Sequence, residues 1–290
     1  MDAPKIWERM VAAMNQFTPR LPTLKQQWIT ACLQAAYHPA TLYTGARKII
    51  SPYRIHLTLD PSLTMADAGY TKNKLSQLTR NYLHVEARDA ALRLWDERRA
   101  KRKYGSVGFT TYNHFVKGDV RHRTPRGSSF GPCIQSVIIT QNERKQYSID
   151  IPYRTTELMK KFPADLVFIR DVLLPPFDFE GLEPTGVTFH FANVTSHVMY
   201  FAVILCHLEN PITVLETLRK TDSYYYKWVI RWTSRYFLKE HEHGILKFSQ
   251  ALRVRDHVRE AMSKQRELAA YLRKHHPGYG RNVFEDDDDE

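Results

Sequence analysis

Apolar and polar positions alternate at different periods along the chain, and the period tells helix from strand. Residues 23–36 carry Leu24, Trp28, Ile29 and Leu33 at helical spacing, with Pro39 as the stop. Residues 74–103 repeat the pattern through Leu75, Leu78, Tyr82, Val85, Leu92 and Trp95, which predicts one or two helices. Between Gly105 and Gly131 the periodicity vanishes among glycines, prolines and hydroxyls, so a long loop is expected there. Period-two signals follow. Ile134–Thr140 is rich in β-branched residues. Tyr147, Ile149 and Ile151 alternate with Ser148 and Asp150, and Val187, Phe189 and Phe191 alternate with Thr188, His190 and Ala192. Residues 164–174 read as a helix stopped by Pro175-Pro176, and Ser196–Leu208 as an apolar helix or buried strand. Residues 244–274 read as a long amphipathic helix, apolar at Leu252, Val258, Met262, Ala269 and Leu272. This succession predicts an α+β fold.

Composition narrows the setting. The chain has 290 residues, 43% of them hydrophobic, which suffices for a large core. No run approaches the ~20 apolar residues that a membrane span needs. The N-terminus lacks an apolar signal core, so a cytoplasmic location is expected. Three cysteines, Cys32, Cys133 and Cys206, have no paired spacing, which argues against a disulfide framework or a cysteine zinc site. The net charge of +11 points to a polyanionic or phosphorylated partner. Nine Lys or Arg and one acid, Asp119, lie between Arg98 and Arg126. Glu285 to Glu290 are all acidic, and residues 281–290 are expected to form a disordered, solvated tail.

The candidate chemistry starts at Cys133, which follows Gly131-Pro132 at the opening of a strand signal. A thiol is a better nucleophile at neutral pH than a hydroxyl. Arg121, Arg123 and Arg126 upstream, and Arg154 at the start of the next connection, are expected to lower its pKa. Taken alone, a cysteine at a strand start is more often a small buried hydrophobe. Around it, Trp95-Asp96-Glu97, Tyr104-Gly105, Pro132-Cys133, Arg154-Thr155-Thr156-Glu157 and Phe162-Pro163-Ala164-Asp165 follow one another in order.

That order resembles the active-site landmarks of the thymidylate synthase family, over roughly residues 75–210. The resemblance implies a single domain over residues 1–280, its first 70 residues unmatched. It also implies a mixed, bent sheet flanked by helices and a homodimer made by stacking sheets. Cys133 would be the nucleophile that adds to C6 of a pyrimidine nucleotide, and Arg154 would grip the phosphate and face the sulfur. Thr155 would take a second phosphate oxygen. Glu157 and Trp95 would contact the co-substrate, 5,10-methylenetetrahydrofolate, and no metal is implied. Tyr104 belongs to the matched landmarks, and Arg121 and Arg123 sit where the family reaches across its dimer to the partner's phosphate. Glu86 is the best candidate for the glutamate that organises water around the base. Aligning Asn193 with the family's asparagine puts Phe189 and Phe191 at the sugar-contact positions. Either those contacts are lost or a register change turns His190 inward.

Asp165 stands where a uracil-reading member carries asparagine. Cytosine presents an amino donor at C4 and an unprotonated N3. A carboxylate accepts from the amino group, and a protonated carboxyl, with a raised pKa, donates to N3. Family members that hydroxymethylate cytidylates carry aspartate here and supply modified nucleotides for phage DNA or nucleoside antibiotics. The expectation is a (deoxy)cytidylate 5-hydroxymethyltransferase. Three alternatives stay open. One is a uridylate methyltransferase or hydroxymethylase. Another is a basic nucleic-acid-binding protein using Tyr104, Phe109, Tyr112 and Phe115 as stacking platforms. The last is the same chemistry on a base flipped out of a polynucleotide.

Overall fold

A computed structural model describes residues 22–38, 42–44, 46–67, 70, 72–111, 133–237 and 258–277. Seven strands form one mixed sheet: β1 (Leu42–Thr44), β2 (Arg47–Ile50), β3 (Tyr53–Leu57), β4 (Gly105–Thr110), β5 (Ser136–Gln141), β6 (Gln146–Glu157) and β7 (Glu183–His197). The order is β1-β2-β7-β6-β5-β4, with β3 also paired to β7. β6 and β7 run parallel through the centre and every other pair is antiparallel. β7 is long enough to hold two partners in line: β3 along Val187–Phe191 and β2 along Val194–His197. The expected α+β class is what the chain adopts.

The helices are α1 (Leu24–Tyr37), α2 (Lys72–Tyr82), α3 (Val85–Ala100), α4 (Lys161–Phe168), α5 (Val198–Cys206), α6 (Pro211–Thr221), α7 (Ser223–Phe237) and α8 (Val258–His275). α1 starts in a capping box. Thr23 accepts from the Gln26 N–H while the Gln26 side chain takes the Thr23 N–H. Its buried positions Leu24, Trp28, Ile29 and Leu33 are those the periodicity marks. The periodic run from 74 to 103 is two helices, broken after Tyr82, with His84 capping the second through Nδ1 to the Ala87 N–H. The expected helix at 164–174 begins earlier, at Lys161, and after Phe168 widens into a π-helical turn, Ile169–Leu173.

Three expectations are corrected. Residues 105–110 form β4 at the sheet edge rather than the start of a loop. Val107 and Phe109 point into the core and their neighbours outward, and a six-residue alternation next to two glycines was too short a signal. Arg154 does not begin a connection, because β6 runs on through Glu157 beside Asn193–Thr195 of β7. The apolar stretch from 196 divides: Ser196 and His197 end β7, and Val198–Cys206 is helical. The expected helix at 244–274 is seen as Val258–His275, its earlier part lying outside the described residues.

The core lies between the sheet and its helices. Phe189 and Phe191 pack with Tyr153 and with Phe162 of α4, ring centroids 4.9–6.2 Å apart. Lys48 is fully buried, its ammonium held by the Ala36 carbonyl at 2.7 Å and the Asp222 carboxylate at 2.8 Å. Tyr43 donates to the same carboxylate at 2.5 Å. This network ties β1 and β2 to the end of α1 and the start of α7. No helix among the described residues is long and apolar enough to cross a membrane.

Candidate active site

Cys133 lies just before the point where Ile134 bridges Tyr153 of β6. Its carbonyl accepts the Arg154 N–H at 2.9 Å, so the backbone itself sets Cys133 against the start of the Arg154–Glu157 segment. Half-buried Cys133 is neither sealed in the core nor free in solvent. Four further side chains act on it. Tyr82, at the end of α2, hydrogen-bonds the sulfur, while Asp165 and Lys161 of α4 and Arg154 of β6 act on it through their charges. Lys74, one helical face back along α2, acts in turn on Asp165. The sulfur, the guanidinium and the carboxyl therefore occupy one patch, built where α2 and α4 meet the central strands.

Electrostatics departs from expectation in a defined way. Burial pushes the Cys133 thiol up, and the charge of Asp165 adds to that. Lys161, the Tyr82 hydroxyl and Arg154 pull it down and lose. The expected lowering by guanidinium is thus present but outweighed by desolvation. Asp165 is 7% exposed, and burial raises its carboxyl to about 7 against the pull of Lys74 and Lys161. Near neutral pH it holds a proton part of the time. Each time it does, the charge that opposes Cys133 ionisation is removed.

A second acid lies close by. Glu157 is also buried and raised to about 7 by desolvation. Its oxygens accept the Lys160 N–H at 2.6 Å and the His197 N–H at 3.3 Å, so it fastens the turn after β6 to the end of β7. Tyr70 feels the charges of Tyr200, Asp165 and Glu157. Lys74 sits over the Tyr70 ring at 5.2 Å and Lys160 over the Tyr200 ring at 4.9 Å. Lys74 feels Lys161 and Lys160 as neighbouring cations. Together they give this side of the site a positive rim with aromatic backing.

The remaining expected residues are placed as follows. Thr155 donates to the Asn193 side chain at 2.5 Å, across the parallel β6–β7 pair. His190 stands on the outward side of β7, paired with Asp150 at 2.9 Å, while Phe189 and Phe191 face the core. No register shift turns it inward, since β7 keeps its pairing with β3 and β6 throughout that stretch. Trp95 is 1% exposed and donates to the Asp178 carbonyl at 2.9 Å among Phe177 and Phe179, so its ring faces are spent on packing. Glu86 is an exposed first-turn residue of α3, with His84 3.7 Å away. A carboxylate in the first turn is favourably placed against the helix dipole. Tyr104 is half exposed at the entrance to β4. Its neighbour Gly105 has φ +127°, and a Cβ there would meet the Arg98 guanidinium at 2.8 Å, so the backbone itself accounts for glycine. Arg121 and Arg123, like the acidic tail, lie outside the described residues.

Sequence reasoning missed Tyr70, Lys74, Tyr82, Lys160 and Lys161. The two α2 residues carry a readable signal, since Leu75, Leu78 and Tyr82 share a face of that helix. Nothing in the sequence ties that face to Cys133. Among the described residues no cluster of His, Cys, Asp and Glu is arranged to hold a metal ion. No protein-family model matches the chain, and no curated protein matches its sequence.

Proposed function

We propose that the chain is a pyrimidine nucleotide C5 hydroxymethyltransferase acting on a cytidylate, with methylenetetrahydrofolate as one-carbon co-substrate, in the cytoplasm and as a sheet-stacked homodimer. The observation that carries this reading is the meeting of Cys133, Asp165 and Arg154 in one patch, with Asp165 raised to about 7. A carboxyl that shares its time between ionised and neutral forms suits the cytosine edge. Ionised, it accepts from the amino group; protonated, it donates to N3. The Cys133 thiolate adds to C6, and the electron pair of the C5–C6 double bond moves toward C5, which becomes the nucleophilic carbon. Arg154 and Lys161 offset the negative charge of the thiolate before it attacks. The lysine rim and Arg154 supply cations for a phosphate monoester.

Bound there, the co-substrate would supply a carbon at the oxidation level of formaldehyde: C5 would take it up while tetrahydrofolate and the C5 proton leave, and water adding to that carbon as the sulfur departs from C6 would give a hydroxymethyl group and restore the thiolate. Trp95 and Glu157 do not fit as its holders, since the first is sealed in packing and the second is committed to backbone donors. The outward residues Arg54 and His56 of β3, Ser106, Gly108 and Thr110 of β4, and His190 and Ala192 of β7 are exposed, which leaves a sheet face available for stacking.

A second reading has its own observation. Lys101, Arg102, Lys103 and Tyr104 are exposed in succession where α3 leads into β4, a basic strip beside an aromatic ring that suits a nucleic-acid backbone. In that case the target base is held within a polynucleotide, and binding weakens steeply with salt.

The deciding experiment is tritium release from 5-tritiated dCMP, CMP, dUMP and UMP with methylenetetrahydrofolate. Release from a cytidylate, lost in Cys133→Ser, is the expected result. Absence of release from all four refutes the enzyme reading, and release from uridylates alone refutes the assignment of Asp165.

A further inference from the structure

Past Thr155 the sheet carries a line of side chains away from the candidate site. Thr155 pairs with Asn193, Glu157 with Thr195, and Arg47 of β2 with His197. Residues two apart on a strand share a face, and so do residues paired directly across. One face therefore holds Asn193, Thr195 and His197 in line, with Thr155, Glu157 and Arg47 beside them. From Asn193 to His197 the line runs about 13 Å, at about 3.3 Å per residue.

Three half-buried rings meet at its far end. His197 lies 5.8 Å from Tyr200 and 6.3 Å from Trp232, centroid to centroid. The Lys160 ammonium sits over the Tyr200 ring at 4.9 Å, and exposed Arg47 stands across from His197. Glu157 is buried and holds the group together, its oxygens accepting the Lys160 and His197 N–H groups at 2.6 and 3.3 Å. Rings flanked by cations suit a ligand with a flat face and a negative charge.

We propose that this surface holds a nucleotide flanking the target in a single-stranded polynucleotide, its base against the His197, Tyr200 and Trp232 rings and its phosphate between Arg47 and Lys160. This rests on the reading of the Cys133–Asp165 patch as a pyrimidine site and takes its second, polynucleotide form. The net charge of +11 fits a chain of phosphates better than a single monoester. Every base has a flat face, so the surface adds affinity without reading the flanking sequence.

The test uses a fluorescein-labelled single-stranded oligodeoxycytidylate of about ten nucleotides, bound at a series of salt concentrations and followed by polarisation. Affinities for dCMP and tetrahydrofolate are measured by calorimetry. The wild type is expected to bind the oligonucleotide more tightly than dCMP. The double variant Arg47→Gln, Lys160→Gln is expected to bind it about tenfold more weakly and to bind dCMP as before. The slope of log affinity against log salt should fall by about 1.4, two phosphate contacts at about 0.7 each. The charge-keeping double variant Arg47→Lys, Lys160→Arg is expected to bind the oligonucleotide as the wild type does. A charge-keeping variant as weak as the Gln variant overturns the phosphate contact. A Gln variant that binds the oligonucleotide like the wild type overturns the assignment of this surface. So does one that loses affinity for tetrahydrofolate instead, which makes the surface the co-substrate's. A wild type that binds dCMP and the oligonucleotide equally well overturns the flanking contact and leaves the nucleotide reading standing. One that binds neither overturns both.

Discussion

Asp165→Asn is expected to make the protein more stable at alkaline pH than at acid pH, relative to the wild type. Asp165 is buried and its carboxyl is raised from 3.8 to about 7. A raised acid holds more protons in the folded state than in the unfolded one. Its ionisation therefore erodes stability as pH climbs from about 4 through about 7, and the loss is complete above that. Below about 4 both states are protonated and nothing is lost. Roughly three pKa units at about 1.4 kcal/mol each set an upper bound of about 4 kcal/mol. Asparagine has nearly the same size and no charge, so it escapes this penalty. The stability gap in favour of the variant should widen by about 2–3 kcal/mol between pH 4.5 and pH 8. Urea unfolding followed by circular dichroism at a series of pH values measures it. Glu157 titrates over the same range in both proteins and cancels from the difference. A gap that stays flat across that range refutes the placement of Asp165 as a desolvated acid. The same substitution removes the proton that a neutral carboxyl offers to cytosine, so it should also shift nucleotide preference toward uridylates.

Other outcomes follow from the same geometry. Alkylation of Cys133 by iodoacetamide should rise with pH to a midpoint above that of a free thiol, and Tyr82→Phe should move the midpoint higher still. An unchanged midpoint removes the Tyr82 hydrogen bond from the account. Lys48→Met should cost about 3–5 kcal/mol, because it leaves the Asp222 carboxylate without its buried cation, and pairing it with Asp222→Leu should recover much of the loss. Denaturant unfolding of the single and double variants decides it. Trp95→Ala should cost about 3–5 kcal/mol in the same assay with no specific effect on nucleotide affinity, since the ring is buried in the core. Glu86→Gln should leave tritium release unchanged and shift stability by no more than about 0.5 kcal/mol.

Much of the fold was legible because its elements carry clear periods. Leu24 through Leu33 of α1 and Val187 through Phe191 of β7 face the core as their spacing predicts. Legibility failed where a short period met ambiguous residues. β4 alternates over six positions, two of them glycine, and its strand character comes from pairing with β5, a partner some thirty residues away. The same holds for β1 to β3, in the first 70 residues. They are three to five residues long; β2 and β3 become strands by lining up along β7, and β1 by pairing with β2.

The site shows the complementary limit. Ordered motifs placed Cys133, Arg154 and Asp165 near one another because Cys133 lies just ahead of β5, Arg154 in the neighbouring β6 and Asp165 on the helix that follows, where chain order and proximity agree. Trp95 and Glu86 suit their expected roles poorly, since a motif match states a residue type and not its exposure, and Glu86 matched no motif but only stood on a helix ahead of Trp95. The ring of Trp95 is enclosed by phenylalanines from 177 and 179, and the carboxylate of Glu86 is solvated. The pKa of Cys133 failed for a related reason. Counting arginines along the sequence measures charge, whereas the thiol responds to charge and desolvation together, and here desolvation wins. The coupling that results has a direction which neither group shows alone. A proton on Asp165 removes a charge that holds the thiol neutral. Under the proposed function, a cytosine whose N3 takes a hydrogen bond from the neutral carboxyl would keep that proton in place and so favour ionisation of the sulfur. Base preference and nucleophile activation would then be set by the same proton.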